Sequence, residues 1–435
     1  MTGDKLTEAK YGADWWADNA VVGDKLGIVS FATSASVAYA LHAIAGDPDR
    51  ANAQTAIGGI AAGGQTSIGG GLRTALNQIT DAGARAATQV VVLLTDGLHN
   101  NGESPSAVLP DLIANGVRVY TIGVGTDIDA ALLQNIAHAT GGTFYRIDPS
   151  GSVSAQETQI RYALQEISGI ARDNGGIVRT IAERGDDRRT RVHKVLIEPG
   201  SERATFAVSW PGPKDFIELE LEAPDGTRVT RSSIPAGVHE IYSKRPYLGF
   251  QVEQPEPGFW SVTLLTDRVS SPDPFRLFVF SENRGIDGGL VSPRSRYPVG
   301  ARIPLFLQTY FRQPITKVDV TGVAHLPGGA QVPLHFVDDG DDALGDAVPL
   351  DGLYSTVFRN TKRPGMYRFE VDVESDGSSV AYAEAGERLR TGEAFVHDPI
   401  PPFHRRFVLT LAVGRERFKH DPDADKRKPR RSRGG

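Results

Sequence analysis

QVVVLLTDG, residues Gln89–Gly97, is the stretch whose reading decides the fold. Val90, Val91, Val92, Leu93 and Leu94 form one apolar run, followed by a threonine, a carboxylate and a glycine turn. A run without polar alternation predicts a strand buried on both faces, as in a parallel α/β sheet. Ligands on such sheets gather at the carboxyl ends of the strands. Asp96 therefore falls where a site is expected, with the loop Leu98–Ser104 able to fold over it.

A second stretch belongs with the first. Gly63–Leu72, GGQTSIGGGL, reads as a glycine-rich loop entering a helix over Ile68–Ile79, and it brings the hydroxyl of Thr66 to the same rim. A hydroxyl and a carboxylate are both hard oxygen donors, which suit Mg²⁺ or Ca²⁺. Two donors alone do not define a metal site.

Working outward, residues 4–20 carry Leu6, Ala9, Ala13, Trp16 and Ala20 at helical spacing. Leu26–Ala32 predicts a strand and Val37–Ile44 its hairpin partner at the sheet edge. Ser104 is placed to cap a helix with Pro105 at its first position, and Val117–Val124 is the next strand. Asp127 or Asp129 starts a helix that Gly141–Gly142 stops; Thr143–Ile147 is the last strand and Ser154–Arg172 the last helix. Strands alternating with helices predict a doubly wound parallel sheet.

After Asn174–Gly176 helical periodicity gives way to period two. Phe216–Glu222, FIELELE, alternates Ile217, Leu219 and Leu221 with Glu218, Glu220 and Glu222, and Pro224–Asp225–Gly226 makes a turn. The domains expected are 1–174, an α/β unit; 177–282, a β-sandwich; 288–397, an immunoglobulin-like β-sandwich; and 398–435, an extension. Asn283–Leu290 reads as a polar linker. The tail Asp421–Gly435, basic and without an apolar anchor, is expected to be disordered.

Composition narrows the function. A length of 435 residues leaves room for two to four domains. A net charge of −6 gives no global nucleic-acid footprint, and the absence of cysteine excludes disulfides, zinc thiolates and a cysteine nucleophile. No apolar run is long enough to span a membrane. The start, MTGDKLTEAK, does not read as a signal peptide. There is no H-E-x-x-H, no G-x-S-x-G and no phosphate loop; glycines 69–71 are not followed by the lysine such a loop needs.

Four stretches together resemble the von Willebrand factor A (VWA) domain: GDKLGIVSFATSA (23–35), GGQTSIGGGLRTAL (63–76), VVVLLTDG (90–97) and VYTIGVGTDIDAALLQNIAHATGGTFY (119–145). The resemblance covers about residues 1–170. It implies a metal-ion-dependent adhesion site built from a D-x-S-x-S motif, a threonine, here Thr66, and an aspartate, here Asp96. The D-x-S-x-S motif is absent. The resemblance identifies Met1 as the residue that closes a D-x-S-G-S-M motif and places the first strand and three of five metal ligands upstream, so the chain reads as amino-terminally truncated. That strand would lie between Leu26–Ala32 and Val90–Leu94. Without it two strand edges stay open or are forced together, and cation binding is expected to be weak or absent.

The β-rich remainder resembles the calcium-activated chloride channel regulator family and its bacterial relatives. The stretch VDDGDDALGDAVPLDGLYSTVF (337–358) is similar to an acidic pattern of extracellular bacterial sandwich domains. Its carboxylates, Asp338, Asp339, Asp341, Asp342, Asp346 and Asp351, could hold Ca²⁺, but they lack the EF-hand register and read more simply as a solvated hairpin loop. His99 lies close to Asp96, and exposure on the loop accounts for it without a metal. Trp15, Trp16, Trp210 and Trp260 read as packing residues.

The function expected is a non-enzymatic, extracellular or cell-surface adhesion-type protein. Its partner is a protein offering a carboxylate to a Mg²⁺ or Ca²⁺ ion held by Thr66 and Asp96, with no nucleic acid and no membrane span. The rival reading is a cytoplasmic VWA assembly factor working with an ATPase, against which stand the two sandwiches.

Overall fold

The computed structural model describes residues 4–83, 88–147, 153–171, 175–184, 189–211, 215–242, 246–269, 274–283, 285–311, 313–341, 343, 345–346, 348–381 and 400–414. The expected tail Asp421–Gly435 and Asp342 lie outside them. The chain divides into two compact units that part near residue 151.

The first unit is α/β. Its elements are α1 (Asp4–Asn19), β1 (Lys25–Phe31), β2 (Ala35–Ala43), α2 (Asp47–Gly58), α3 (Ile68–Asp81), β3 (Gln89–Thr95), α4 (Pro105–Ala114), β4 (Val117–Val124), α5 (Ala130–Ala139) and β5 (Phe144–Ile147). Strands β3, β4 and β5 form a parallel sheet in that order, with Gln89 opposite Val117 and Thr121 opposite Phe144. β1 and β2 make a separate antiparallel hairpin, running from Lys25 opposite Ala43 to Phe31 opposite Ala35. A small core under that hairpin joins Ala17 and Ala20 to Leu26, Ile44, Ala53 and Ile57.

Two expectations are corrected here. β3 is not buried on both faces: only Leu93 and Thr95 are buried, and Val90, Val91, Val92 and Leu94 are half-exposed. β3 has β4 as its one ladder partner among the described residues and β1 has only β2, so each keeps an open edge. Ser104 precedes α4, with Pro105 at its start, but its side chain makes no capping bond. Asp129 does cap α5, accepting from the Leu132 amide at 2.9 Å.

The second unit begins with α6 (Val153–Ala171) and continues in strands. They are β6 (Gly175–Glu183), β7 (Arg189–Ile197), β8 (Arg203–Ser209), β9 (Phe216–Glu222), β10 (Arg228–Val229), β11 (Val238–Tyr242), β12 (Tyr247–Glu253), β13 (Gly258–Arg268) and β14 (Phe275–Glu282). Then come β15 (Asp287–Val291), β16 (Arg296–Tyr297), β17 (Ile303–Phe311), β18 (Gln313–Thr316), β19 (Asp319–His325), β20 (Gln331–His335), β21 (Leu353–Phe358), β22 (Gly365–Ser375), β23 (Val380–Ala381) and β24 (Phe403–Val413).

Two cores lie between facing sheets. In one, Ile217, Leu219, Leu221 and Trp260 meet Phe206, Phe250, Phe275 and Leu277. In the other, Ile303, Leu305 and Leu307 meet Tyr367, Phe369 and Leu411. One ten-stranded sheet runs through both, because Arg406 of β24 pairs with Ile177 of β6. The expected linker is partly strand: Asp287–Val291 pairs with β17. The expected extension also carries β24, which pairs with β22 over its whole length, from Phe403 opposite Ser375 to Val413 opposite Gly365. The pairing spans too much sequence for local pattern to reveal.

α6 lies on the outer face of this sheet, where Tyr162 and Ile170 pack with Ile177, Phe278 and Phe280. Gly169 permits the approach, since a Cβ there would stand 2.1 Å from the Phe280 ring. Arg368 of β22 adds an ion pair with the buried Glu166. Beneath, Arg405 of β24 is paired with Glu198, whose exposure is zero, and Ser281 donates to the same carboxylate at 3.1 Å. Burial alone would push the Glu198 carboxyl up; the Arg405 charge and hydrogen bonds outweigh it and hold it below the usual range.

Candidate functional site

Thr66 ends the loop between α2 and α3. The Ser67 amide donates to the Ala32 carbonyl at 2.8 Å, which ties the start of α3 to the end of β1. Across the rim, the Thr66 amide donates to Asn100 Oδ1 at 2.7 Å, and the Asn100 amide returns a bond to the Thr66 carbonyl at 3.1 Å. Asn101 Nδ2 donates to the Thr33 carbonyl. The loop after Asp96 is thus stitched to both segments, and Thr66 is fixed through its backbone while its hydroxyl has no hydrogen-bond partner among the described residues.

That hydroxyl faces the turn that carries the carboxylate. A Cβ on Gly97, next after Asp96, would lie 3.1 Å from Thr66 Oγ1, a tight contact that glycine avoids. Gly69 acts likewise one turn on: a Cβ there would stand 1.9 Å from the Glu103 carbonyl oxygen. Arg73 of α3 closes the arrangement from behind, bonding Glu103 at 2.8 Å and Asp111 at 2.6 Å, which raises its pKa. Thr66 and Asp96 are both half-buried, as groups must be that face a ligand from a rim.

His99 departs from expectation. It is 9 % exposed, and its Nδ1 has no hydrogen-bond partner. Burial lowers the imidazole pKa, partly opposed by a hydrogen bond with the Thr66 backbone. The loop folds inward over Thr66, and the ring goes with it. Asn100, the clamp on Thr66, is the residue that sequence reasoning missed. Its signal is an amide side chain three residues past the turn glycine Gly97, a type that bonds loop backbone.

The acidic loop of the second unit is more ordered than a solvated hairpin. Oxygens of Asp338, Asp346 and Asp351 come within 4.8 Å of one another, and Asp346 is fully buried. Each carboxylate holds the loop's own backbone: Asp338 accepts from the Asp351 and Gly352 amides, Asp346 from Gly340 and Val348, and Asp351 from Leu353. Burial, and to a lesser degree the neighbouring Asp351 and Asp346, raise the Asp338 carboxyl.

Residues 20–161 match the von Willebrand factor type A domain. Over most of its length the chain is similar to calcium-activated chloride channel regulators. It is 25 % identical to regulator 1 of Bos taurus over 378 residues, which are 81 % of this chain and 38 % of that protein. It is 25 % identical to regulator 3A-1 of Mus musculus over 399 residues, 86 % of this chain and 40 % of that one. The chain thus spans about two fifths of the length of these relatives. Among solved structures, a von Willebrand factor type A protein from Catenulispora acidiphila aligns with 78 % of this chain and 63 % of its own, at 17 % identity and a TM-score of 0.35. Proximal thread matrix protein 1 from the mussel byssus, with zinc in its MIDAS motif, aligns with 37 % of this chain and 42 % of its own, at 24 % identity and a TM-score of 0.32. No helix among the described residues is long and apolar enough to cross a membrane.

Proposed function

We propose that the chain is a non-enzymatic, adhesion-type binding protein that works outside the cell or at its surface. Its VWA rim takes a protein partner through a divalent cation, Mg²⁺ or Ca²⁺, held by Thr66 and Asp96. The observation that carries this reading is the Thr66 hydroxyl, fixed by the Asn100 clamp and left without a hydrogen-bond partner beside the Asp96 turn.

The donors suit the group. Both are oxygens, one of them charged, and the orphaned Nδ1 of His99 marks a polar position beneath the same loop. A bound cation supplies a positive centre with coordination positions open to a partner carboxylate. Two donors from this chain leave most positions to water and to other groups, so the affinity is weak. The clamp restrains the Thr66 backbone before any ligand arrives, which lowers the ordering cost of binding.

Titration of the full chain with Mg²⁺ by calorimetry tests this. Weak binding that Asp96→Asn and Thr66→Val each reduce about tenfold, roughly 1.4 kcal/mol, is expected. A glutamate-rich peptide should be retained with Mg²⁺ and released by chelator. Equal Mg²⁺ affinity in all three proteins overturns the reading.

A further inference from the structure

The His99 ring is a buried polar group with no structural task on one side. Its Nδ1 lacks a hydrogen-bond partner although the residue is only 9 % exposed, and such an atom is costly to bury without one. The ring interacts with the backbone of Thr66, the residue whose hydroxyl has no hydrogen-bond partner. It follows Asp96 by three positions, in the loop that Asn100 and Asn101 pin down over the rim. A hydroxyl, a carboxylate and an imidazole are therefore gathered within one short loop and the residue it clasps.

We propose that His99 is a nitrogen ligand of the rim, acting through Nδ1, and that it shifts the site's preference from Mg²⁺ or Ca²⁺ toward a borderline cation such as Zn²⁺, Co²⁺ or Mn²⁺. This rests on the Thr66–Asp96 reading and sharpens it. Hard cations take oxygen donors, whereas imidazole suits zinc and other transition metals. The ring's contact with the Thr66 backbone orients the ligand, as outer partners of metal-bound histidines do.

The test uses Co²⁺ as probe, read by its visible absorption bands, alongside Mg²⁺ calorimetry on the same proteins. The full chain is expected to bind Co²⁺ at least about tenfold tighter than Mg²⁺. His99→Gln should lose roughly tenfold or more of the Co²⁺ affinity and shift the bands, a larger loss than it causes for Mg²⁺. Asp96→Asn should weaken both. If His99→Gln leaves Co²⁺ affinity and bands as they were while Asp96→Asn weakens both cations, the inference falls and the rim reading stands. If Asp96→Asn changes neither, the rim reading falls. Should the glutamine variant unfold, the imidazole nitrogen resonances of His99 in the unaltered chain decide. A Zn²⁺-dependent shift of Nδ1 is expected, and an unmoved resonance overturns the proposal.

Discussion

β3 and β14 carry similar apolar runs, VVVLL and FRLFVF, yet they end in different surroundings. β14 has a ladder on each side, to β6 and β8, with one core under it and α6 above it. Phe275, Leu277, Phe278 and Val279 are wholly buried. β3 has a ladder on one side only, and its valines stay half-exposed. Apolar sequence makes a strand; neighbours make it a core strand. Where the ladder stops, backbone groups and apolar side chains share the same open edge.

The largest effect should come from breaking what makes the second unit continuous. Glu198 and Arg405 pair where the β24 strand passes β6, at zero and 4 % side-chain exposure. Arg405→Leu leaves an uncompensated buried carboxylate and is expected to cost about 3–5 kcal/mol. Replacing both residues by leucine should recover most of that loss. Urea unfolding read by hydrogen exchange in β24 peptides measures it. A cost below about 1 kcal/mol would mean that the ten-stranded sheet does not depend on this pair.

A middle-sized effect is linked to pH. Burial pushes the Asp372 carboxyl up, but the His404 ring 3.1 Å away and hydrogen bonds from Arg406 outweigh it and bring its pKa to about 2 from 3.8. The folded value is the lower one, so the stabilisation is complete above pH 4 and is lost as pH falls toward 2. The difference amounts to about 2 kcal/mol. Glu370 is held low in the same way, burial being outweighed by His325 and Arg368. The second unit should therefore lose stability between pH 4 and 2, and Asp372→Asn should flatten that loss. An unchanged pH profile in the variant would remove Asp372 as its source.

What the sequence discloses follows the range of the interactions. The places of Thr66, just before α3, and Asp96, just after β3, were legible because each follows from a local signature, a glycine-rich helix entry and a strand end. The β1–β2 hairpin and the parallel pairing of the later strands were legible for the same reason. The burial of His99 was not, because it depends on a clasp between Asn100 and Thr66, 34 positions apart. The place of β24 was not legible either. Its stretch FHRRFVLTLAV opens with charge, and Arg405 finds Glu198 207 residues away. Nothing near Phe403 in the chain announces a central strand.

The smallest effect bears most directly on the contrast between the sheets. Amides in a strand held on both sides exchange through global opening, whereas those at an open edge exchange through local fluctuations. β14 should thus be protected close to the full stability of its unit, and β1 and β3 less so within theirs. A difference of at least about tenfold in exchange rate, near 1.4 kcal/mol, is expected between β14 peptides and those of β3. A divalent cation at the rim should narrow it, since the loops of Thr66 and Asp96 are tied to the end of β1 through the Ala32 and Thr33 carbonyls and Asp96 directly follows β3. Narrowing abolished by Asp96→Asn would connect the open edges to the site. Equal exchange in β3 and β14 before any cation is added would show that a single ladder suffices to hold an apolar strand.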